Sequence, residues 1–212
     1  MGSDRARAFG LRSRMAPLIL GSGSPRRLSL LTIAGFEIAA VIPPDIPERR
    51  APNETPLRYV RRLAAEKAAA VPASNAWVLA ADTVVHDGLD VFEKPTDDTD
   101  GFRMLRELSG RWHRVTSAWC VEWKGPQSCP ADRRRYRGER TSRVKFRSLT
   151  DREIRRYIQT GEGTDKAGGY AVQGEGAALI ERVVGSTTNV VGLPLDSVIP
   201  TLRALHIHGS PR

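Results

Sequence analysis

The stretch Gly21-Ser22-Gly23-Ser24-Pro25-Arg26-Arg27 follows a short apolar run, Leu18-Ile19-Leu20, and opens a helical pattern in which Leu28, Leu31 and Ala34 share a face before Gly35 stops it. This order is strand, tight loop, helix start. Ser24 suits the N-cap and Pro25 the first helical position. Main-chain amides, the hydroxyls of Ser22 and Ser24 and the guanidinium groups of Arg26 and Arg27 therefore converge at the positive end of a helix dipole. Such chemistry attracts a phosphate, although an ordinary capped helix with surface arginines has the same residues. The loop matches neither common glycine-rich phosphate motif. Arg26 stands where G-x-G-x-x-G needs its last glycine, and G-x-x-x-x-G-K-[ST] is absent from the chain.

Working outward, Phe36–Ile42 is a β-rich run closed by Pro43-Pro44, and Asp45-Ile46-Pro47-Glu48 is a rigid acidic loop. Asn53-Glu54-Thr55-Pro56 starts a helix with Leu57, Val60, Ala64, Ala68 and Val71 on one face and Lys67 beside it, ended by Pro72. Trp77–Ala81 reads as a buried strand, with Asp82-Thr83 at or near its C-terminal end. The turn cluster His86-Asp87-Gly88-Leu89-Asp90 leads into Val91–Pro95, a hairpin-like excursion that lets Asp82 and Lys94 approach one another.

A helix over Asp98–Leu108 turns Phe102, Leu105 and Leu108 inward and stops at Gly110. Val115–Trp123 then alternates as a strand. Residues 124–140 read as a polar loop, after which Arg143–Arg147 alternates again and pairs antiparallel with the preceding strand. Thr150-Asp151-Arg152-Glu153 is a capping box for a helix carrying Ile154, Tyr157 and Ile158 up to Gly161. The glycine-rich segment Thr164–Gly174 reads as a functional loop entering a strand. Asn189–Leu195 leads to a last helix bearing Leu195, Val198, Ile199, Leu202 and Leu205. Helices interleaved with strands and no internal repeat predict a mixed α/β (α+β) fold around a central sheet.

With 212 residues, 40% of them hydrophobic, the chain can bury a sizeable core. Residues 15–208 read as one domain, 1–14 as a flexible basic extension with Met15 as a candidate start, and 209–212 as a tail. The extension is arginine-rich like a transit peptide but short and weakly amphipathic, and Ala6 breaks the myristoylation pattern. No apolar run approaches the roughly 20 residues that span a bilayer, and no secretion signal is visible, which predicts a cytoplasmic protein with no membrane partner. Cys120 and Cys129 read as free thiols, the first packed in a strand. His86 and His113 each stand alone without metal-ligand spacing, as a turn and a strand-start residue.

The formal net charge of +9 is concentrated in two segments. Residues 1–14 carry Arg5, Arg7, Arg12 and Arg14 against Asp4, and 133–147 carry eight cations against Glu139, so the remainder is close to neutral. The second segment has no aromatic-stacking or groove-reading motif beside its charge. It therefore reads as a solvated arginine-rich loop, and nucleic acid is not the expected partner.

The constellation that could do chemistry combines the anion-binding helix start, the isolated acids Glu48 and Asp82, and the lysines Lys67, Lys94 and Lys166 in loops or at element ends. Cations neutralise phosphate oxygens, carboxylates hold a divalent metal, and one carboxylate can take a proton from water.

Several motifs stand in register: Ser22–Arg27, Glu66-Lys67-Ala68, Ala81–Val85, Lys94-Pro95, Leu108-Ser109-Gly110, Asp165–Gly168, Tyr170, Gln173-Gly174 and Val191–Pro194. In content and order, from about Leu18 to Leu205, they resemble the Maf family. The resemblance implies a Maf/ITPase-like fold: a long curved mixed sheet flanked by helices, with a cleft between two lobes, often as a homodimer. It implies hydrolysis of a nucleoside triphosphate between the α and β phosphates, giving monophosphate and pyrophosphate.

Carried onto this sequence, the resemblance makes Asp82 the water-activating acid and Glu48 a ligand of Mg²⁺ or Mn²⁺. Ser22, Ser24, Arg26, Arg27, Lys67, Lys94 and Lys166 would handle substrate and phosphates. The Ser-Pro-Arg-Arg form, Asp82-Thr83 and Gln173 resemble the branch acting on dTTP and UTP, with Arg27, Thr83 and Gln173 discriminating the base. An amide suits a pyrimidine edge because it offers a donor and an acceptor together. Arg49, Gly169, Ala171 and Thr187 depart from the family pattern.

Among rival readings, Nudix hydrolases lack support because their Glu-rich helix signature is absent. A nucleotide- or protein-binding regulator of cell division without turnover would not need the water-activating acid.

Overall fold

The computed structural model describes residues 16–126, 131 and 134–207. The expectations placed on the N-terminal extension, on Met15 and Cys129, and on the extreme C-terminus lie outside those residues.

The described residues form a seven-stranded mixed sheet. In chain order its elements are β1 (Leu18–Leu20), α1 (Pro25–Ile33), β2 (Ala40–Val41), α2 (Pro56–Ala70), β3 (Ala76–Asp87), β4 (Asp90–Phe92), α3 (Asp98–Leu108), β5 (Trp112–Lys124), β6 (Arg135–Phe146), α4 (Asp151–Gln159), β7 (Ile180–Val184), α5 (Thr187–Val191) and α6 (Leu195–Ala204). The strands run in the order β2-β1-β3-β5-β6-β7, with β4 added to β3. β1 is parallel to β2 and β3, whereas β3, β5, β6 and β7 form an antiparallel run. This is the expected mixed α/β sheet flanked by helices. Among the described residues no helix is long and apolar enough to cross a membrane.

The expected elements are present, with corrections, two of which come from long-range strand pairing. β3 does not end near Asp82 but continues to Asp87, because β5 pairs with it along 76–86. Residues 135–140, read as loop, belong to β6 and pair with β5; Tyr136 packs on Trp77 at 6.1 Å. Long-range pairing overrides a polar composition there. Conversely, the run 36–42 yields only the two-residue β2. The glycine-rich segment forms two 3-10 turns, Ala167–Gly169 and Gly174–Leu179, before β7, and 187–191 is the short helix α5.

On α2 the buried stripe is Pro56, Tyr59, Val60, Leu63, Ala64, Lys67 and Ala68. That stripe lies to one side of the face read from the sequence, so Leu57 is exposed and Lys67 lies within the buried face. The capping box of α4 is formed as expected, with Glu153 N donating to Thr150 Oγ1 at 3.3 Å and Thr150 N to Glu153 Oε2 at 2.8 Å.

Part of the basic segment is paired with acids of neighbouring elements. Arg135 pairs with Glu122 at 2.7 Å, Arg140 with Asp196 at 2.8 Å and Arg147 with Glu153 at 3.1 Å, while Arg143 stacks over Trp112 at 4.5 Å. Each such exposed pair contributes about 0–1 kcal/mol, but together they explain the charge run as strand surface.

Two apolar clusters occupy opposite ends of the β3–β5 ladder. One joins Trp77, Leu79, Trp119 and Val121 to Leu31, Val198 and Leu202; the other joins Val85 and Val115 to Leu105, Phe146 and Tyr170. β1 pairs with residues 77–79 of β3 and β4 with 85–87, both on the edge that β5 leaves free. Residues 80–84 thus stand between two strands at a gap in the sheet.

In the second cluster His113 is 2% exposed, and its Nε2 lies 2.7 Å from the Tyr170 hydroxyl. Burial pushes its pKa down to about 4 from 6.5. It is neutral in the folded protein and gains a proton on unfolding between those limits. The unfolded chain then binds more protons, so this group leaves stability unaffected above about pH 6.5 and lowers it as pH falls toward 4, by about 3 kcal/mol in all. The melting temperature is expected to fall between pH 7 and pH 5, and less steeply in His113→Gln. Parallel curves for the two proteins would assign the pH dependence elsewhere.

Candidate active site

The gap in the sheet opens into a cavity of about 560 Å³, and every site residue singled out from the sequence lines it: Ser22, Ser24, Arg26, Arg27, Glu48, Lys67, Asp82, Thr83, Lys94, Lys166 and Gln173. The loop after β1 supplies Ser22 and Ser24, the first turn of α1 supplies Arg26 and Arg27, α2 supplies Lys67, and β3 supplies Asp82 and Thr83. The segments after β4 and α4 close the far side.

Successive strand residues face opposite sides of a sheet, so Asp82 turns toward α2 and Thr83 toward α1 and α5. On the α2 side, Lys67 Nζ lies 2.6 Å from Asp82 Oδ1 and 2.8 Å from Glu48 Oε1. The Lys67 and Asp82 side chains are each 9% exposed, against 40% for Glu48. A buried ammonium thus draws two carboxylates from separate elements to one point. Tyr59, absent from the sequence reading, donates its hydroxyl to the Glu48 carbonyl at 3.0 Å and fixes that loop. Burial, reinforced by the charges of Glu93, Asp82 and Glu48, pushes its pKa up to about 12, so it remains a donor.

On the other side Arg27 is a clamp. Its Nε donates to the Gly192 carbonyl at 2.8 Å, Nη1 to Ser22 Oγ at 3.0 Å and Nη2 to Thr83 Oγ1 at 3.1 Å. Burial, the dominant influence, lowers its pKa against the attraction of Asp82. Gly192 has φ +125°, a conformation that favours glycine, and carries the carbonyl that Arg27 grips. Ser22 Oγ also accepts from Ser24 N at 3.2 Å, which braces the loop. Ser24 occupies the N-cap of α1 without a side-chain capping bond, and Pro25 stands in the first turn as expected.

The remaining cations are more open. Arg26 Nη1 is 4.0 Å from Asp165 Oδ2, and Lys166 Nζ bonds Asp165 Oδ1 at 2.5 Å and the Glu162 carbonyl. Lys94 and Gln173 are exposed on the cavity wall. No hydrogen bond or ion pair among the described residues links Lys94 to Asp82; they share the cavity without touching. Gly168 has φ +75°, and a β-carbon there would meet Val85 Cγ1 at 3.1 Å, so only glycine lets the 165–173 segment lie against β3.

Sequence reasoning also passed over Ser117 and Asn189, both essentially inaccessible to solvent. Asn189 Oδ1 accepts from Ser117 N at 3.0 Å, and its Nδ2 donates to the Val115 carbonyl and to Ser142 Oγ, each at 2.9 Å. A polar pair on two distant elements has no local signature.

The whole arrangement sets a carboxylate pair and an ammonium on one side of a strand, a guanidinium clamp on the other, and further cations around the rim. It suits a polyanion carrying a polar head. Residues 17–205 match the family model described as Maf-like protein. A Geobacter sulfurreducens protein named dTTP/UTP pyrophosphatase is 42% identical over 192 residues, covering 89% of this chain and 96% of that one. Proteins of the same name from Anaeromyxobacter dehalogenans (47% over 190 residues, 89% and 94% coverage) and Vibrio cholerae (41% over 184 residues, 85% and 94%) are likewise similar. With the site and nearly the whole described fold inside these matches, the chain belongs to the family of Maf-like proteins.

Proposed function

We propose that this protein hydrolyses dTTP and UTP between the α and β phosphates, releasing the nucleoside monophosphate and pyrophosphate, as a cytoplasmic homodimer. The observation that carries the chemistry is Asp82, held by Lys67 at 2.6 Å inside a cation-rimmed cavity and facing Glu48 across the same ammonium. The choice of dTTP and UTP follows the names of the relatives. The homodimer rests on the family resemblance, and the cytoplasmic location is the expectation read from the sequence.

In this reading Ser24, Arg26, Lys94 and Lys166 bind the phosphate chain, and Ser22 and Arg27 shape the loop beneath it. Asp82 accepts a proton from the water that attacks the α phosphorus, a contribution of about 10²- to 10⁴-fold. Lys67 fixes the carboxylate and opposes the charge that gathers on the phosphate.

The residues fit a divalent cation of the Mg²⁺ or Mn²⁺ kind. Such ions take one or two carboxylates and complete their shell with water and substrate phosphates, and Glu48 lines the cavity with a side chain 40% exposed. Among the described residues no three His, Cys, Asp or Glu side chains gather into a self-sufficient cage, so Glu48 would hold the ion together with the substrate phosphates. When bound, it supplies neutralisation of the phosphate oxygens, on the order of several kcal/mol.

The test is a panel of single nucleotides with Mg²⁺, scored for pyrophosphate and monophosphate. Release of pyrophosphate from dTTP and UTP is expected; release of orthophosphate, or no product from either, would sink the reading. EDTA is expected to stop the reaction and added Mg²⁺ or Mn²⁺ to restore it. An undiminished rate in chelator would remove Glu48 from the metal role.

A further inference from the structure

One wall of the cavity, residues 165–173, carries Lys166 and Gln173, and both are held from behind by Glu162, which stands outside the lining. Gln173 occupies the N-cap of the 3-10 turn Gly174–Leu179 and makes no side-chain capping bond. A capping side chain ordinarily accepts the amides two and three residues further on. Here Glu162 takes them instead, Oε1 from Glu175 N at 3.1 Å and Oε2 from Gly176 N at 2.8 Å. The carboxylate passes through the space that a side chain at 174 would fill, because a β-carbon on Gly174 would collide with Oε1. The turn is capped from outside, and the Gln173 amide is left for the cavity. Lys166 depends on the same residue, its Nζ bonding the Glu162 carbonyl and Asp165 Oδ1. Between them the Tyr157 hydroxyl, on α4, accepts from Ala171 N at 3.0 Å. Burial raises the Tyr157 pKa and the charge of Glu162 adds to the rise, so the hydroxyl keeps its proton.

We propose that Glu162 is a positioning residue for substrate binding: as the outside cap of the Gly174–Leu179 turn it holds this wall closed, with Lys166 and Gln173 turned to the nucleotide, and Tyr157 assists it. This rests on the pyrophosphatase reading above and deepens it. The two oxygens of a carboxylate take two amide protons without competition. In Glu162→Gln one oxygen becomes an NH2 group, which can only donate, so one main-chain N–H then faces another donor. A buried or half-buried donor left unpaired disfavours the closed wall. No hydrogen bond or ion pair among the described residues joins Glu162 to Asp82, Lys67 or Glu48, which stand on β3, α2 and the loop before α2. A wall that is closed for only a fraction of the time weakens apparent affinity by that fraction. Molecules that have bound substrate are closed and turn over at the parental rate, so the loss falls on KM and spares kcat.

The experiment measures kcat and KM for UTP in the parent protein, Glu162→Gln, Glu162→Ala and Tyr157→Phe, beside hydrogen exchange at the amides of residues 171–176. Glu162→Gln is expected to raise KM about tenfold, which corresponds to a wall closed about one tenth of the time, and Glu162→Ala to raise it further, with kcat within about threefold of the parent in both. The amides of Ala171, Glu175 and Gly176 are expected to exchange at least about tenfold faster, and a non-hydrolysable UTP analogue to restore their protection. Tyr157→Phe deletes only the hydroxyl that receives Ala171 N and is expected to raise KM by about threefold, which keeps the test open should the Glu162 variants fold poorly. A KM within about 1.5-fold of the parent in folded Glu162→Gln and Tyr157→Phe would overturn the proposal. So would a fall in kcat at unchanged KM, the pattern of a residue that only stabilises the fold. In either case pyrophosphate release by the parent leaves the pyrophosphatase reading standing. Absence of pyrophosphate from the parent with every nucleotide would overturn both.

Discussion

Asp82→Asn is expected to lower kcat for pyrophosphate release by about 10²- to 10⁴-fold, the range associated with losing a positioned general base. The substitution is nearly isosteric and keeps an oxygen for Lys67, which also retains Glu48 as a partner at 2.8 Å. The fold and the cationic rim therefore stay in place, and affinity for a non-hydrolysable UTP analogue is expected to change by less than about tenfold, since the phosphate contacts come from other residues. What the amide cannot do is take up the proton of the attacking water. Single-turnover rates measured beside analogue binding separate these effects. Parental turnover in Asp82→Asn would remove this residue from the chemistry, and a large loss of analogue affinity would reassign it to binding.

Lys67→Met is expected to damage both stability and activity. Asp82 is almost fully buried against the ammonium, and removing one partner of a buried ion pair leaves an uncompensated charge, at about 3–5 kcal/mol. Glu48 is 40% exposed and screened by solvent, so most of the loss belongs to the Asp82 contact. For a chain of this size the melting temperature should drop by about 10 °C. The two carboxylates, no longer bridged, repel each other at the point where the water must be activated, and pyrophosphate release should fall at least as far as in Asp82→Asn. A double variant, Lys67→Met with Asp82→Asn, is expected to recover part of the lost stability and none of the activity. If Lys67→Met melts within a degree or two of the parent, the pair behaves like a surface contact of about 0–1 kcal/mol. The positioning role of Lys67 would then be abandoned.

The two variants probe parts of the site that differed in how visible they were beforehand. Asp82 could be read at a strand end beside a phosphate loop, yet its true place is mid-strand, opposite a gap between β1 and β4. Lys67 could be read as adjacent to an apolar helix face, but the stripe that packs on the sheet is Tyr59, Leu63 and Lys67 with their neighbours, which carries the ammonium inside. The difference is a fraction of a helical turn. Packing against β3 and β5 settles it, and the apolar residues of α2 alone do not.

The sequence by itself determined the elements whose signals are local: the strand-loop-helix at Gly21–Arg27, the proline-started α2, the capping box of α4, and the collection of acids and cations suited to a triphosphate. Caps, prolines and hydrophobic periods act within a few residues, so they are written in the chain order. Only the tertiary structure decided that residues 135–140 are strand, that Arg27 spans three elements, and that Ser117 stands between Thr83 and the Asn189 carbonyl. Those outcomes depend on hydrogen bonds between residues as far as 165 positions apart. Such a bond takes its partner from the way the sheet is assembled, and no local pattern encodes that choice.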